Sequence, residues 1–293
     1  MILYLLLRIA ILVFGYLPFW LLYRFSDVLS VVCNLLGVRK KTIHDNLDGA
    51  FPDLSSKQKR KLTKGVYRNF FDVMFVEMIK SFTISTHALA KRFDPGDVAI
   101  LKRYHQEGQS LISVTGHYAN WEWGVSAAVD YNCVAFYKPL KNRYMDRYIR
   151  QNRSRHHFEL ASVTKPVPTF LKYRDQATFY FLIADKQNVK KKHLKRVMWL
   201  PFLGKKSPFL LGPEKYARSF NYPVFYSKVR RVGRGRYQHQ LIELCADPST
   251  LDEGELTRRW VAILEEQVQA DPAAWLWFWA TTRSRQDALH QNG

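Results

Sequence analysis

The chain has 293 residues, 47% hydrophobic and 15% aromatic, and a formal net charge of +20. That apolar content excludes a disordered polyelectrolyte, and the length suffices to bury a sizeable α/β core. Cys33, Cys133 and Cys245 lie far apart with no CxxC spacing, which excludes a disulfide scaffold and suits reduced thiols.

Residues 1–23, MILYLLLRIAILVFGYLPFWLLY, carry one charge, Arg8. A bilayer-spanning helix needs about 20 mostly apolar residues, so the stretch predicts an N-terminal membrane-anchor helix. No positive segment precedes it and no small-x-small site follows, which argues against a cleaved signal. Arg8 is placed to snorkel and Pro18 to kink the helix. The run Val28–Val38 is too short to span and suits an interfacial helix. Spanning and lying flat both remain open, as does a buried core helix. Arg24, Arg39, Lys40 and Lys41 follow, and the positive-inside bias sets the main domain in the cytoplasm. The division expected is residues 1–40 as anchor and interfacial helix, 41–285 as the α/β domain and 286–293 as a tail.

From Ser55 to about Phe82 the spacing predicts a helix capped at Ser55 or Ser56. A short helix is expected over 97–106. Strands are expected at Leu111–Val114, Cys133–Tyr137, Thr178–Ile183, Tyr222–Val229 and Gln238–Leu244. Helices are expected near 120–129, 142–155, 166–175, 212–220 and 253–269. This alternation predicts an α/β fold, a central mixed sheet covered by helices.

The charge is concentrated. Residues 138–155 hold seven Lys/Arg and one acid, residues 186–206 hold eight and none, and residues 228–236 hold five and none. Brought together, these stretches would form a surface that attracts phospholipid head groups, phosphorylated substrates, acidic proteins or nucleic acid. Kept apart, they would be solvated faces.

The segment Leu111–Gly124, LISVTGHYANWEWG, carries the chemistry. A buried strand ends at Thr115-Gly116, His117 follows, and Glu122 comes five residues later. On one continuous helix those side chains would point about 140° apart. They meet only if His117 sits in a turn and a helix begins near Asn120, a capping residue. A carboxylate on one imidazole nitrogen fixes the tautomer and leaves the other to accept a proton. His117 is thus a candidate general base, with Glu122 orienting it and stabilising the imidazolium. His156-His157 and His193 have no carboxylate or Cys companions, so no metal site is expected.

GHYANWEW resembles the His-x4-Asp/Glu motif of glycerolipid acyltransferases, in the form seen in the late (lauroyl/myristoyl) lipid A biosynthesis acyltransferases. FYKPLKN (136–142), the basic helix with Arg150 and Arg153, IADKQ (183–187) and FLGKKSPFLLGPEKYAR (202–218) resemble further blocks of that family, in order. No Glu-Gly-Thr/Ser-Arg block is present, which sets aside the glycerol-phosphate branch. At 275–283, WLWFWATTR keeps Trp275 and Trp277 of a Trp-x-Trp-Ser-His-Arg-Arg-Trp-Lys pattern and replaces its histidine-arginine part. Trp275, Trp277 and Trp279 read as packing or interfacial anchors.

The resemblance implies acyl transfer from an acyl carrier protein thioester, or acyl-CoA, to a hydroxyl of an anionic lipid A precursor. It places the chain at the bacterial inner membrane with its catalytic domain on the cytoplasmic face. It implies no metal or redox cofactor, and no nucleic acid partner. Asn120, Lys138, Arg150, Arg153, Asp185 and Gln187 are the candidate substrate-binding residues. Lys138, Arg150 and Arg153 suit phosphate or oxyanion contact, while Asp185 and Gln187 suit placing the acceptor or supporting the basic residues. Two alternatives stay open: transfer to another lipid hydroxyl, on an aminolipid or glycolipid, and a silent membrane-bound binder of anionic lipid.

Overall fold

The computed structural model of the chain describes residues 2–124, 131–154, 158–185 and 196–278. The helices are α1 (Ile2–Phe14), α2 (Phe19–Leu35), α3 (Lys40–Ala50), α4 (Ser56–Phe71), α5 (Met78–Lys80), α6 (Thr86–Ala90), α7 (Ala99–Gln106), α8 (Trp121–Gly124), α9 (Arg143–Ser154), α10 (Val167–Lys172), α11 (Gly212–Phe220) and α12 (Glu255–Ala270). The strands are β1 (Phe93–Asp94), β2 (Leu111–Thr115), β3 (Cys133–Tyr137), β4 (Phe158–Ser162), β5 (Phe179–Ile183), β6 (Val197–Phe202), β7 (Lys205–Leu210), β8 (Val224–Gly233) and β9 (Arg236–Cys245).

Seven strands form one sheet in the order β1-β9-β8-β2-β5-β3-β4, and β6 and β7 pair as a separate antiparallel ribbon. The large sheet is mixed: β2 runs parallel to both β5 and β8, β3 to β4 and β5, while β8 and β9 are antiparallel. Leu111, Ile112 and Val114 of β2 and Phe179 and Tyr180 of β5 are fully buried. Central parallel strands need such continuous apolar runs because both faces are covered. The expected fold is therefore present. The sequence pattern missed the two-residue β1, as well as β4 and the β6–β7 ribbon, whose Glu159, Pro201, Lys205, Lys206 and Pro208 break any clean apolar signal.

Local chemistry sets the helix limits. Ser55 caps α4 in a reciprocal capping box with Gln58. α12 buries Leu256, Trp260, Val261, Leu264 and Val268 along one stripe. Its first turn is closed by the buried Glu214 carboxylate, which accepts from Gly254 N–H (2.5 Å), Thr257 N–H (3.0 Å) and the Thr257 hydroxyl (2.6 Å). The helix expected over 55–82 is instead α4, one π turn at Asp72–Glu77, and α5. A π turn aligns residues five apart, which puts Asp72 and Glu77 on the same side, both fully buried.

At the N-terminus the structure departs from a single anchor helix. α1 and α2 are separated at Gly15–Pro18, where proline cannot donate to a continuing helix. No single described helix is long and apolar enough to cross a membrane; the bent pair α2 and α3, turned by 86°, passes only by length and composition. α1 spans about 20 Å and α2 about 26 Å, both short of the ~30 Å hydrocarbon core. α2 packs on the domain through buried Leu22, Tyr23, Ser26 and Ser30. Its opposite side exposes Trp20, Val28, Val31 and Leu35, and α1 exposes Leu3, Leu6, Ile9 and Leu12. Arg8 is exposed; it lies 4.9 Å from the Tyr148 ring of α9 and donates to the Tyr4 hydroxyl.

Candidate active site

His117 and Asp185 leave the C-terminal ends of adjacent parallel strands. Thr115 of β2 is in register with Ile183 of β5, so the two loops start side by side. Loops at strand C-termini are where open α/β sheets build their sites. Asp185 Oδ1 lies 2.6 Å from His117 Nδ1, and its Oδ2 accepts from the His117 backbone N–H at 2.7 Å. Trp275 Nε1 donates to Oδ2 at 2.9 Å. Asp185 is buried, whereas the His117 side chain keeps 16% exposure and so reaches the surface.

Burial alone would push the Asp185 carboxyl up. The His117 imidazole and the hydrogen bonds from His117 and Trp275 more than offset it, holding the carboxyl below its ordinary value. An ionised Asp185 assigns the imidazole proton to Nδ1 and makes Nε2 the lone-pair nitrogen. That is the geometry of a general base with a fixed tautomer.

The turn between strand and helix is held from outside. Ala119 adopts a left-handed backbone at φ 50°, which costs a β-carbon residue about 1–2 kcal/mol. Its N–H bonds Ala274 O at 2.9 Å, Leu276 N–H bonds His117 O at 3.2 Å, and Tyr118 bridges Trp275. Gly116 is required by close approach: a Cβ there would lie 2.8 Å from Leu264 Cδ1 and 3.1 Å from Asp185 Oδ2. Trp121 meets the His117 ring edge to face at 5.0 Å between centroids. α8 begins after Asn120, whose Oδ1 accepts from Trp123 N–H at 3.0 Å, so the expected helix start and cap are present.

The other sequence candidates fall in different places. Glu122, in the first turn of α8, forms an ion pair with Arg153 of α9; the carboxylate on Nδ1 is Asp185. Asn120 is buried, its amide donating to Glu77 Oε2 at 2.7 Å, so it supports the turn from behind. Arg150, one turn from Arg153, faces the Tyr137 hydroxyl and the Glu159 carboxylate. Lys138 is exposed just past β3. Gln187 lies outside the described residues, as do Arg155, His156, His157, His193, Trp279 and the tail 286–293.

Among the described residues, two of the basic stretches do different things. In 228–236, Arg231 bonds Asp72 at 2.7 Å, and Arg234 bonds both Asp72 (2.7 Å) and Asp27 (2.8 Å). Lys228 lies 3.8 Å from Glu266. Arg231 and Arg234 of this hairpin are thus spent on acids of the fold, while Arg230 and Arg236 stay exposed, a division that charge density along a sequence cannot reveal. In the described part of 138–155, Lys138 and Lys141 lie in the loop after β3, and the other bases lie on α9, beside Glu122 and against α1. Residues 186–195 lie outside the described residues.

Sequence reasoning placed Trp275 in packing and missed its bond to Asp185. The signal was there in principle: an indole buried near a carboxylate uses its N–H. Among the described residues no group of His, Cys, Asp and Glu is arranged to hold a metal ion.

A comparison with curated proteins returned no match. The family model described as bacterial lipid A biosynthesis acyltransferase matches residues 1–283. On that match over nearly the whole length, the chain belongs to the bacterial lipid A biosynthesis acyltransferase family.

Proposed function

We propose that this enzyme moves a fatty acyl group from an acyl carrier protein thioester to a hydroxyl of an anionic lipid A precursor. The observation that carries the reading is the buried Asp185 on His117 Nδ1 at 2.6 Å. Nε2 takes the proton of the acceptor hydroxyl as its oxygen attacks the thioester carbonyl. The tetrahedral intermediate expels the thiolate, and the imidazolium returns the proton to that sulfur. The products are an ester and a free thiol, and His117 is neutral again. Asp185 fixes the tautomer. Glu122 serves as a second carboxylate for the transient imidazolium and holds Arg153 where it bonds a phosphate or the thioester oxyanion. Lys138 and Arg150 extend the positive face of α9 and the β3 loop toward the acidic carrier and the phosphates.

The enzyme works at the bacterial inner membrane, on its cytoplasmic face. The exposed apolar sides of α1 and α2 support this, as does the docking of α1 on the basic helix α9 through Tyr4, Tyr144 and Tyr148. Two short helices with one apolar side suit lying in the interface rather than spanning it. Greasy surface beside cationic surface is what an anionic lipid substrate in a bilayer requires.

The test is acyl transfer by the purified protein, with acyl carrier protein or coenzyme A thioesters and lipid A precursor, followed by mass spectrometry of the lipid. His117→Ala is expected to lose at least about 10³-fold in kcat while binding vesicles as before. Unaltered lipid acylation in a deletion strain, or equal turnover in His117→Ala, rejects the reading. A changed aminolipid or glycolipid with unaltered lipid A moves the acceptor to that class.

A further inference from the structure

Behind the His117 turn lies a carboxylate that the reaction above does not use. Glu77, at the end of the π turn, is fully buried. It accepts from Tyr237 OH at both oxygens (3.0 and 2.7 Å), from Tyr23 OH at 3.0 Å and from Asn120 Nδ2 at 2.7 Å. Asn120 is also the cap of α8 and stands one residue past the strained Ala119. The turn is thus clamped from two sides, by the 274–276 segment on its outer edge and by Glu77 on its inner one.

Resting on the reading of His117 as the base, we infer that Glu77 is a positioning residue for the His117 turn, acting through Asn120. An ionised carboxylate accepts every one of these bonds and makes the one from Asn120 charge-assisted, whereas protonation turns one oxygen into a donor, obliges a tyrosine hydroxyl to turn and accept it, and weakens the bond to Asn120. Asn120 cannot turn to another partner, because its Oδ1 holds the Trp123 N–H. Burial pushes the Glu77 carboxyl up to about 7, against the pull of the Tyr237 bond and Arg231 and with a further push from Asp72. The groups facing it are Tyr23 from α2, Asp72 from its own turn, Arg231 and Tyr237 from the β8–β9 hairpin, and Asn120. Arg92 stands beside Tyr23. Near neutral pH, therefore, a single proton strengthens or weakens the clamp.

The test is a double-mutant cycle read over pH in the transfer assay with the full-length protein. Glu77→Gln is expected to lower kcat about 10–100-fold, with KM within about threefold, because misplacing a base slows chemistry more than binding. Asn120→Ala is expected to lose a similar amount, and the double variant no more than Asn120→Ala alone. In wild type the acid limb of kcat should fall more steeply than one proton allows, since Glu77 must be ionised and His117 neutral; Glu77→Gln should reduce it to one proton. Wild-type kcat in Glu77→Gln, or multiplying losses in the double variant, overturns the proposal. If Glu77→Gln does not fold, Tyr237→Phe decides. It removes a donor to Glu77 and should move the acid limb to higher pH, while an unmoved limb overturns the proposal. His117→Ala separates the two readings: an active wild type, a dead His117→Ala and an unaffected Glu77→Gln reject only the role of Glu77. A wild type no faster than His117→Ala rejects both.

Discussion

At the scale of single residues, two carboxylates compete for the role of partner to His117. Glu122 is five positions on in sequence and pairs with Arg153; Asp185 is distant in sequence and sits on Nδ1. Asp185→Asn should let the ring settle in the other tautomer and cost about 10²–10⁴-fold in kcat, while Glu122→Gln should cost less and act partly through Arg153. Steady-state kinetics of the two variants decide the order, and a larger loss in Glu122→Gln gives the role back to that residue. Glu77 offers a stability test independent of activity. Its folded carboxyl is raised to about 7 from 4.5, so the folded state binds that proton more tightly than the unfolded chain. The stability it contributes is complete below about pH 4.5 and is lost as pH rises through 7. The interval corresponds to about 3 kcal/mol. Wild type should lose up to that amount relative to Glu77→Gln between pH 5 and 8, as read by urea unfolding; a constant difference refutes it.

At the scale of elements, the β8–β9 hairpin is tied to the π turn and α2 by ion pairs. Asp72 is fully buried and accepts from Ser26 Oγ at 2.7 Å, from Arg231 at 2.7 Å and from Arg234 at 2.7 and 3.0 Å. Removing one partner of such a network strands the others, which typically costs about 3–5 kcal/mol. Asp72→Ala should therefore unfold at clearly lower denaturant, and a change under about 1 kcal/mol would show the network relaxes. The end of α4 is a smaller case. Ser55→Ala removes the capping box at an exposed site and should cost about 1 kcal/mol with kinetics unchanged.

At the scale of the whole molecule, α1 and α2 present their apolar side away from the domain while α1 touches the basic helix α9. Vesicle sedimentation should show binding that is stronger on anionic than on neutral lipid. Salt should weaken the electrostatic part and leave the apolar part. Ile9→Asp with Val28→Asp, both exposed, should abolish binding and leave the folded domain intact. Equal partitioning of that double variant would end the case for these helices as the membrane surface.

The sequence by itself determined the α/β class, the central strands β2, β3 and β5, a cap at Ser55 or Ser56, a helix beginning near Asn120 and the presence of a His-x4-Glu turn. Each rests on local chemistry, apolar periodicity or a capping side chain, which neighbouring residues suffice to specify. Only the tertiary structure decided that Asp185 and Trp275 meet His117, that Asn120 leans on Glu77, and that Arg231 and Arg234 are spent on buried acids. It likewise decided that the N-terminal run is two helices. Such pairings depend on which strand ends lie side by side and which helix covers them. Strand order is a property of the assembled sheet that no window of sequence contains.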